Sequence, residues 1–158
     1  MIKKGFSVVV DENTETLILG SLPGDVSLRK HQYYGHSGND FWRLLGSAIG
    51  ENFQDMDYSS RLETLKHHRI GLWDVFKAGN REGSEDSKLK DEEVNQFSIL
   101  KEISPKLRLV CFNGKKSGKY EPILRKMGYE TRIIPSSSGA NRRFLEKRES
   151  EWKAAFKR

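Results

Sequence analysis

Strand and helix signals alternate along this chain, and the alternation predicts an α/β fold: a three-layer α/β/α sandwich with a mostly parallel central sheet. Three observations carry the prediction. The apolar runs Thr16–Gly20 and Leu107–Phe112 lack period-two alternation, as expected of strands covered on both faces. Segments with helical spacing follow each run. Loops rich in Gly, Ser and Asn come after the strands, and in this class such loops gather at one rim, beyond the carboxyl ends of the sheet.

Taken in order, Phe6–Val10 reads as a strand and Asp11–Asn13 as the polar turn after it. Thr16–Gly20 is the second strand. A long loop over 21–39 follows, with Gly24, Gly35, Gly38 and Pro23, leading to a helix capped by Asn39 or Asp40. Its apolar positions Phe41, Leu44, Leu45 and Ala48 recur at helical spacing. Ser60-Arg61-Leu62-Glu63 has the form of a capping box for a helix ending near His67-His68. Ile70–Val75 is a short strand, and Lys77–Lys90, with Gly79, Gly83, Ser84 and Ser87, reads as a long loop. Val94–Ile103 reads as helix, stopped at Pro105, and Leu107–Phe112 as strand. A helix from about Ser117 to Met127 stops at Gly128. Glu130–Ile134 is the last strand, and a final helix carries Phe144, Trp152 and Phe156.

At 158 residues, with no repeat and no second core pattern, the chain reads as a single domain, 1–158. No apolar run approaches the roughly 20 residues of a membrane span, and no signal-peptide pattern opens the chain. Cys111 is the single cysteine, which excludes an internal disulfide and a cysteine-ligated iron–sulfur cluster and suits a cytoplasmic location. The net charge of +6 makes nucleic acid a reasonable partner, although a merely basic protein has the same balance. The charge is uneven. Glu82–Glu93 is acid-rich, whereas Lys106–Lys126 and Arg132–Arg158 are basic and have the better claim to a polyanion.

Several chemistries fail on spacing. Gly114-Lys115-Lys116-Ser117 resembles a phosphate loop, but Leu109 stands where the upstream glycine is needed. Gly35-His36-Ser37-Gly38 falls one residue short of a nucleophile elbow. His31, His36, His67 and His68 make no ligand spacing, so a metal enzyme is not expected. What remains is a set of rim loops with amides, hydroxyls and aromatic rings. Each has a bland reading: Ser136–Gly139 as a connection, Asn39 as a helix cap, Tyr33 and Tyr34 as loop packing. Their arrival at one rim is what favours a site.

The stretch Gly20-Ser21-Leu22-Pro23-Gly24, with Tyr34-Gly35-His36-Ser37-Gly38-Asn39-Asp40-Phe41-Trp42, resembles the first motif of the uracil-DNA glycosylase superfamily. Phe112-Asn113-Gly114-Lys115 resembles its central strand-end motif, and Ser136-Ser137-Ser138-Gly139-Ala140-Asn141-Arg142 its second motif. The matches come in the expected order and run from about residue 17 to 143. The third position of Gly-x-x-Pro-Gly is Asn or Asp in most of the superfamily; here it is Leu22, and the pattern is most similar to the hypoxanthine-DNA glycosylases, family 6.

The resemblance implies a monofunctional enzyme that hydrolyses the N-glycosidic bond of a flipped deaminated base in DNA, most similar in pattern to those removing hypoxanthine. It implies Asn39 as the residue that positions water; Asp25, the only carboxylate inside the 21–39 loop, is a second candidate from the residues themselves, with a turn acid as its other reading. The base would be bound by Leu22, Pro23, Gly24, Tyr34 and Asn113. Ser136, Ser137, Ser138, Gly139, Ala140, Asn141 and Arg142 would hold DNA. A monomer acting on nucleoid DNA in a prokaryotic cytoplasm is expected, with no membrane, metal or cofactor. Such chemistry is physically reasonable: departure through an oxocarbenium-like sugar needs water held at the anomeric carbon more than it needs a strong base. Two other enzyme readings remain beside it, a uracil or G:U/G:T mismatch glycosylase and a small-molecule phosphate-binding enzyme. A further reading is a DNA module that binds lesions without chemistry.

Overall fold

The structure, a computed structural model, describes residues 1–139 and 145–157. Its strands in chain order are β1 (Ile2–Lys4), β2 (Thr16–Gly20), β3 (Ile70–Asp74), β4 (Phe76–Asn80), β5 (Lys90–Val94), β6 (Leu109–Asn113) and β7 (Glu130–Ile134). The helices are α1 (Asp25–Lys30), α2 (Phe41–Ile49), α3 (Tyr58–His67), α4 (Leu100–Ile103), α5 (Lys115–Gly118), α6 (Glu121–Lys126) and α7 (Leu145–Phe156). β2, β3, β6 and β7 form a parallel sheet in the order β3-β2-β6-β7, and β1, β4 and β5 form a small antiparallel sheet beside it.

Side chains leave the parallel sheet alternately for its two faces. Ile18, Leu72, Leu109 and Cys111 join Phe41, Leu44 and Leu45 of α2, Leu65 of α3 and Trp152 of α7 in one apolar cluster. Leu17, Leu19, Trp73, Val110 and Phe112 join Leu100 of α4, Leu124 of α6 and Phe76 of β4 in the other. Each such side chain, taken fully out of water, contributes about 1.5–3 kcal/mol. The two clusters make the three layers. Among the described residues no helix is long and apolar enough to cross a membrane.

The structure departs from the sequence-based elements at several places. Phe6–Val10 is not a strand; only Val9 bridges Leu72, and the carbonyls of Phe6 and Ser7 accept from the Tyr33 hydroxyl instead. The 21–39 segment is not all loop, since it contains α1, closed at His31 by a left-handed residue. Of the loop expected over Lys77–Lys90, the first four residues belong to β4 and Lys90 opens β5, so the loop is confined to 81–89 and closes a hairpin. β5, Lys-Asp-Glu-Glu-Val, is a mostly exposed strand at the edge of its sheet and so lacks the apolar alternation that marks a half-buried strand. Val94–Ile103 divides between the end of β5 and a short helical stretch. The cap of α3 is Asp57, whose carboxylate accepts the Ser60 N–H at 2.8 Å, rather than Ser60. The helix expected over 117–127 is split at Lys119-Tyr120, with Pro122 in the first turn of α6, where a missing N–H costs nothing.

Candidate active site

The strand order reverses between β2 and β6, so Gly20 and Asn113 end the two strands that flank the switch point of the sheet. A cleft of about 1180 Å³ opens there. It takes its walls from the loop after β2, the 33–39 turn, the hairpin tip at 84–87, the loop after β6 and the serine loop after β7. The three motif segments therefore share one cleft.

Asn39 stands on that wall, at the entrance to α2. Its Oδ1 accepts the Phe41 N–H at 2.9 Å, and its own N–H donates to the His36 carbonyl at 3.0 Å. The cap-like role foreseen as the bland reading is thus real, while Asn39 still lines the cleft. An amide oxygen has two lone pairs, and the Phe41 bond uses one of them while fixing the direction of the other.

Tyr34 lies on Phe41, ring centroids 3.8 Å apart and planes within 7°. Phe41 is wholly buried and Tyr34 is half-buried, so Tyr34 is the outer ring of a two-ring platform at the cleft. The tyrosine adopts a left-handed backbone (φ 54°), held by the Gly35 N–H donating to buried Ser27 Oγ at 2.9 Å. Burial pushes its phenol well above the usual range, and the Asp74 carboxylate adds to this. Tyr33, by contrast, is core.

Asn113 leaves the end of β6 and is held on both ends of its amide. Nδ2 donates to Ser137 Oγ at 2.9 Å and to Tyr34 Oη at 3.3 Å, and Oδ1 accepts the Ser137 N–H at 2.9 Å. This network fixes which end of the amide is which. The serine loop is held from beneath by Arg148 of α7, whose guanidinium donates to the carbonyls of Ser136 and Ser138, each at 3.2 Å, and pairs with Asp40. Asp40 in turn donates its N–H to the Ser137 carbonyl at 2.8 Å. Ser136, Ser137, Ser138 and Gly139 all line the cleft; Ala140, Asn141 and Arg142 lie outside the described residues.

The Leu22–Asp25 segment is positioned differently from what its residue types suggest. Leu22 is 7% exposed and packs into the apolar cluster shared with Phe76 and Leu19, so what it can offer a ligand is backbone. Arg81, itself buried, donates to the Pro23 carbonyl at 2.7 Å and the Gly83 carbonyl at 3.0 Å. Asp25 pairs with Lys3, an interaction that holds its carboxyl below the usual range, and its N–H goes to Ser84 Oγ at 2.9 Å. Its neighbours Gly24 and Val26 line the cleft and Asp25 does not. The second catalytic candidate is thus a structural ion pair that ties β1 to α1.

Some cleft residues were not singled out from sequence. Lys115 and Lys147 are on its walls, as are Ser84 and Asp86 of the hairpin tip. Asp86 accepts from Ser21 Oγ at 2.7 Å. The most unusual is Asp74, at the carboxyl end of β3. It is 4% exposed, lines the cleft, and its Oδ2 is buried without a hydrogen-bond partner. Burial pushes its carboxyl up to about 7, with Asp86 adding and Arg81 opposing. In sequence it looked like the tail of an apolar strand. No sequence signal marked it; the register that sets Asp74 level with Gly20, the glycine that opens the first motif, is seen only in the structure.

Comparison with known proteins shows the family of the chain. The sequence model of the Uracil DNA glycosylase superfamily matches residues 7–158. Over 157 residues the chain is 72% identical to the Hypoxanthine DNA glycosylase of Methanosarcina acetivorans, covering 99% of each. It is 73% identical over 158 residues to the protein of the same name from Methanosarcina barkeri, covering 100% of each. The solution NMR structure of a protein from Methanosarcina acetivorans superposes with a TM-score of 0.91 at 72% identity, with 99% of this chain and 97% of that one covered. Leu22 and Asn39, like the loops around them, lie inside the matched span, and the chain belongs to the uracil DNA glycosylase superfamily.

Proposed function

We propose that this protein is a monofunctional DNA glycosylase that hydrolyses the N-glycosidic bond of hypoxanthine at deoxyinosine sites, initiating base excision repair. The observation that carries the reading is the meeting of Asn39, Tyr34, Asn113 and the serine loop around one cleft. The names and identity of the two relatives support hypoxanthine as the base.

The target nucleotide leaves the duplex, at a cost of a few kcal/mol that is least at damaged or mispaired sites. Its base stacks on Tyr34, a contact worth about 1–3 kcal/mol. The Asn113 amide, its orientation set by Ser137, reads the purine edge with its remaining acceptor capacity. Asn39 holds water at the anomeric carbon through the lone pair that Phe41 leaves unused. The polar atoms of Ser136, Ser138 and Gly139 grip the flanking phosphates, aided by Lys115 and Lys147 at the cleft. Leu22 has no polar group to handle water and turns into the core, which favours hypoxanthine over the uracil reading. On this reading the chain works as a monomer on nucleoid DNA in the cytoplasm.

The test is a single protein preparation incubated with inosine-, uracil- and G:T-containing duplexes, followed by alkali. Strand breaks at inosine are expected, and their absence would refute the proposal. Asn39→Ala should lose excision by about 100-fold or more while still binding DNA. Asn39→Asp, which keeps an acceptor for both the Phe41 N–H and the water, should retain part of the excision that Asn39→Ala loses.

A further inference from the structure

Asp74 lines the cleft and has no part in the reaction steps proposed for this site. A carboxyl group 4% exposed, with one oxygen buried and unpartnered, is costly to keep charged and costly to keep at all. It is nonetheless held at the cleft floor, on β3, level with Gly20. A side chain added at Gly20 would stand 2.7 Å from Asp74 Oδ1 and 2.8 Å from Tyr34 Oη, so the glycine keeps the space between the carboxyl and the tyrosine clear.

We propose that Asp74 is the general acid of the reaction, delivering its carboxyl proton to N7 of the departing purine. This rests on the hypoxanthine reading. As the C1′–N9 bond breaks, its electron pair stays with the base, and the Asp74 proton passes to N7, so that neutral hypoxanthine leaves. The water held by Asn39 forms the new bond to C1′ and releases a proton to solvent, from which the Asp74 carboxylate is recharged. A purine has a basic ring nitrogen remote from the sugar bond and a pyrimidine such as uracil does not, so an acid at this position favours purines.

The groups that face Asp74 allow a neutral carboxyl near physiological pH. Tyr33 and Tyr34 approach from the loop after α1, Asp86 from the hairpin tip, and Arg81 from the residue after β4. Burial and Asp86 favour the protonated form, and Arg81 opposes them.

The experiment is single-turnover excision from inosine duplex by wild type and Asp74→Asn over roughly pH 5 to 9, with DNA affinity measured in parallel. Wild type should slow by about tenfold per pH unit on the alkaline side, and Asp74→Asn should be slower by about 100-fold in the acid range, with no such limb and with unchanged affinity. An alkaline limb that persists in Asp74→Asn overturns the assignment while leaving the hypoxanthine reading intact; no wild-type excision at all overturns both. Should the variant not fold, wild type carries the test alone with 7-deaza-2′-deoxyinosine, which has no N7 lone pair. Excision of that analogue within about threefold of deoxyinosine overturns the assignment, and loss of about 100-fold supports it.

Discussion

Asp40, the residue before α2, and Arg148, 108 residues further along the chain on α7, form an ion pair in which both side chains are almost wholly buried. The pair joins the turn that carries Asn39 to the loop that carries Ser136–Gly139, because Arg148 also donates to the Ser136 and Ser138 carbonyls. Two halves of the cleft are thus set by one guanidinium.

Arg148→Met should destabilise the protein by about 3–5 kcal/mol, since it strands a buried carboxylate. Arg43 also pairs with Asp40, from a half-exposed position, and keeps the cost toward the lower end. For a chain of this size about 3 kcal/mol lowers the melting temperature by roughly 10 °C. Adding Asp40→Asn should recover part of the loss, and a thermal-unfolding double-mutant cycle checks it.

Gly20→Ala should be damaging out of proportion to one methyl group. The new Cβ would press on Asp74 Oδ1 and Tyr34 Oη, and Asp74 is too enclosed to give way. A cost of about 1–3 kcal/mol is expected from the overpacking. Displacing either cleft group by about 1 Å should reduce excision by about 100-fold, measured under single turnover.

Arg81→Met should release the hairpin tip. Arg81 is buried and donates to the carbonyls of Pro23 and Gly83, so its loss leaves the Pro23 carbonyl without this charged donor. About 1.5–3 kcal/mol of stability should go with it. Limited proteolysis should then cut near residues 82–88 faster than in wild type.

Stability should carry the signature of Asp74. Its carboxyl titrates at about 7 in the folded protein, against roughly 3.9 in an unfolded chain. Between these values the folded state holds a proton that the unfolded state has lost. The Asp74 contribution is therefore whole at low pH and fades as pH rises toward the folded value, by about 1.4 kcal/mol per unit. Asp74→Asn removes that slope. Relative to wild type, the variant should gain stability from pH 5 to pH 8 in parallel thermal scans, because a neutral amide has no proton to lose.

Much of this was legible from residues alone. The alternation of apolar runs with helical segments identified the sandwich, and Gly20–Gly24, Asn113 and Ser136–Gly139 were readable as rim loops because strand ends are punctuated by Gly, Asn and Ser. The antiparallel hairpin was not readable, since β5 is a charged, exposed strand without an apolar face. Asp25 looked catalytic because it is the carboxylate of the first-motif loop; its partner Lys3 lies in a separate strand that pairs with the hairpin, not with the parallel sheet. Asp74 looked structural because its neighbours are apolar.

By itself the sequence determined the layered α/β architecture and the loop segments that line the cleft, because apolar periodicity and turn residues act locally; the order of the strands in the sheet came from the structure. Tertiary structure alone decided which polar groups are paired and which are left with unused capacity. Arg148 reaches Asp40 across 108 residues and Lys3 reaches Asp25 across 22, while Asp74 keeps a buried oxygen unpartnered. Hydrogen bonds and desolvation depend on what lies within a few ångströms, and distance along the chain carries no record of that.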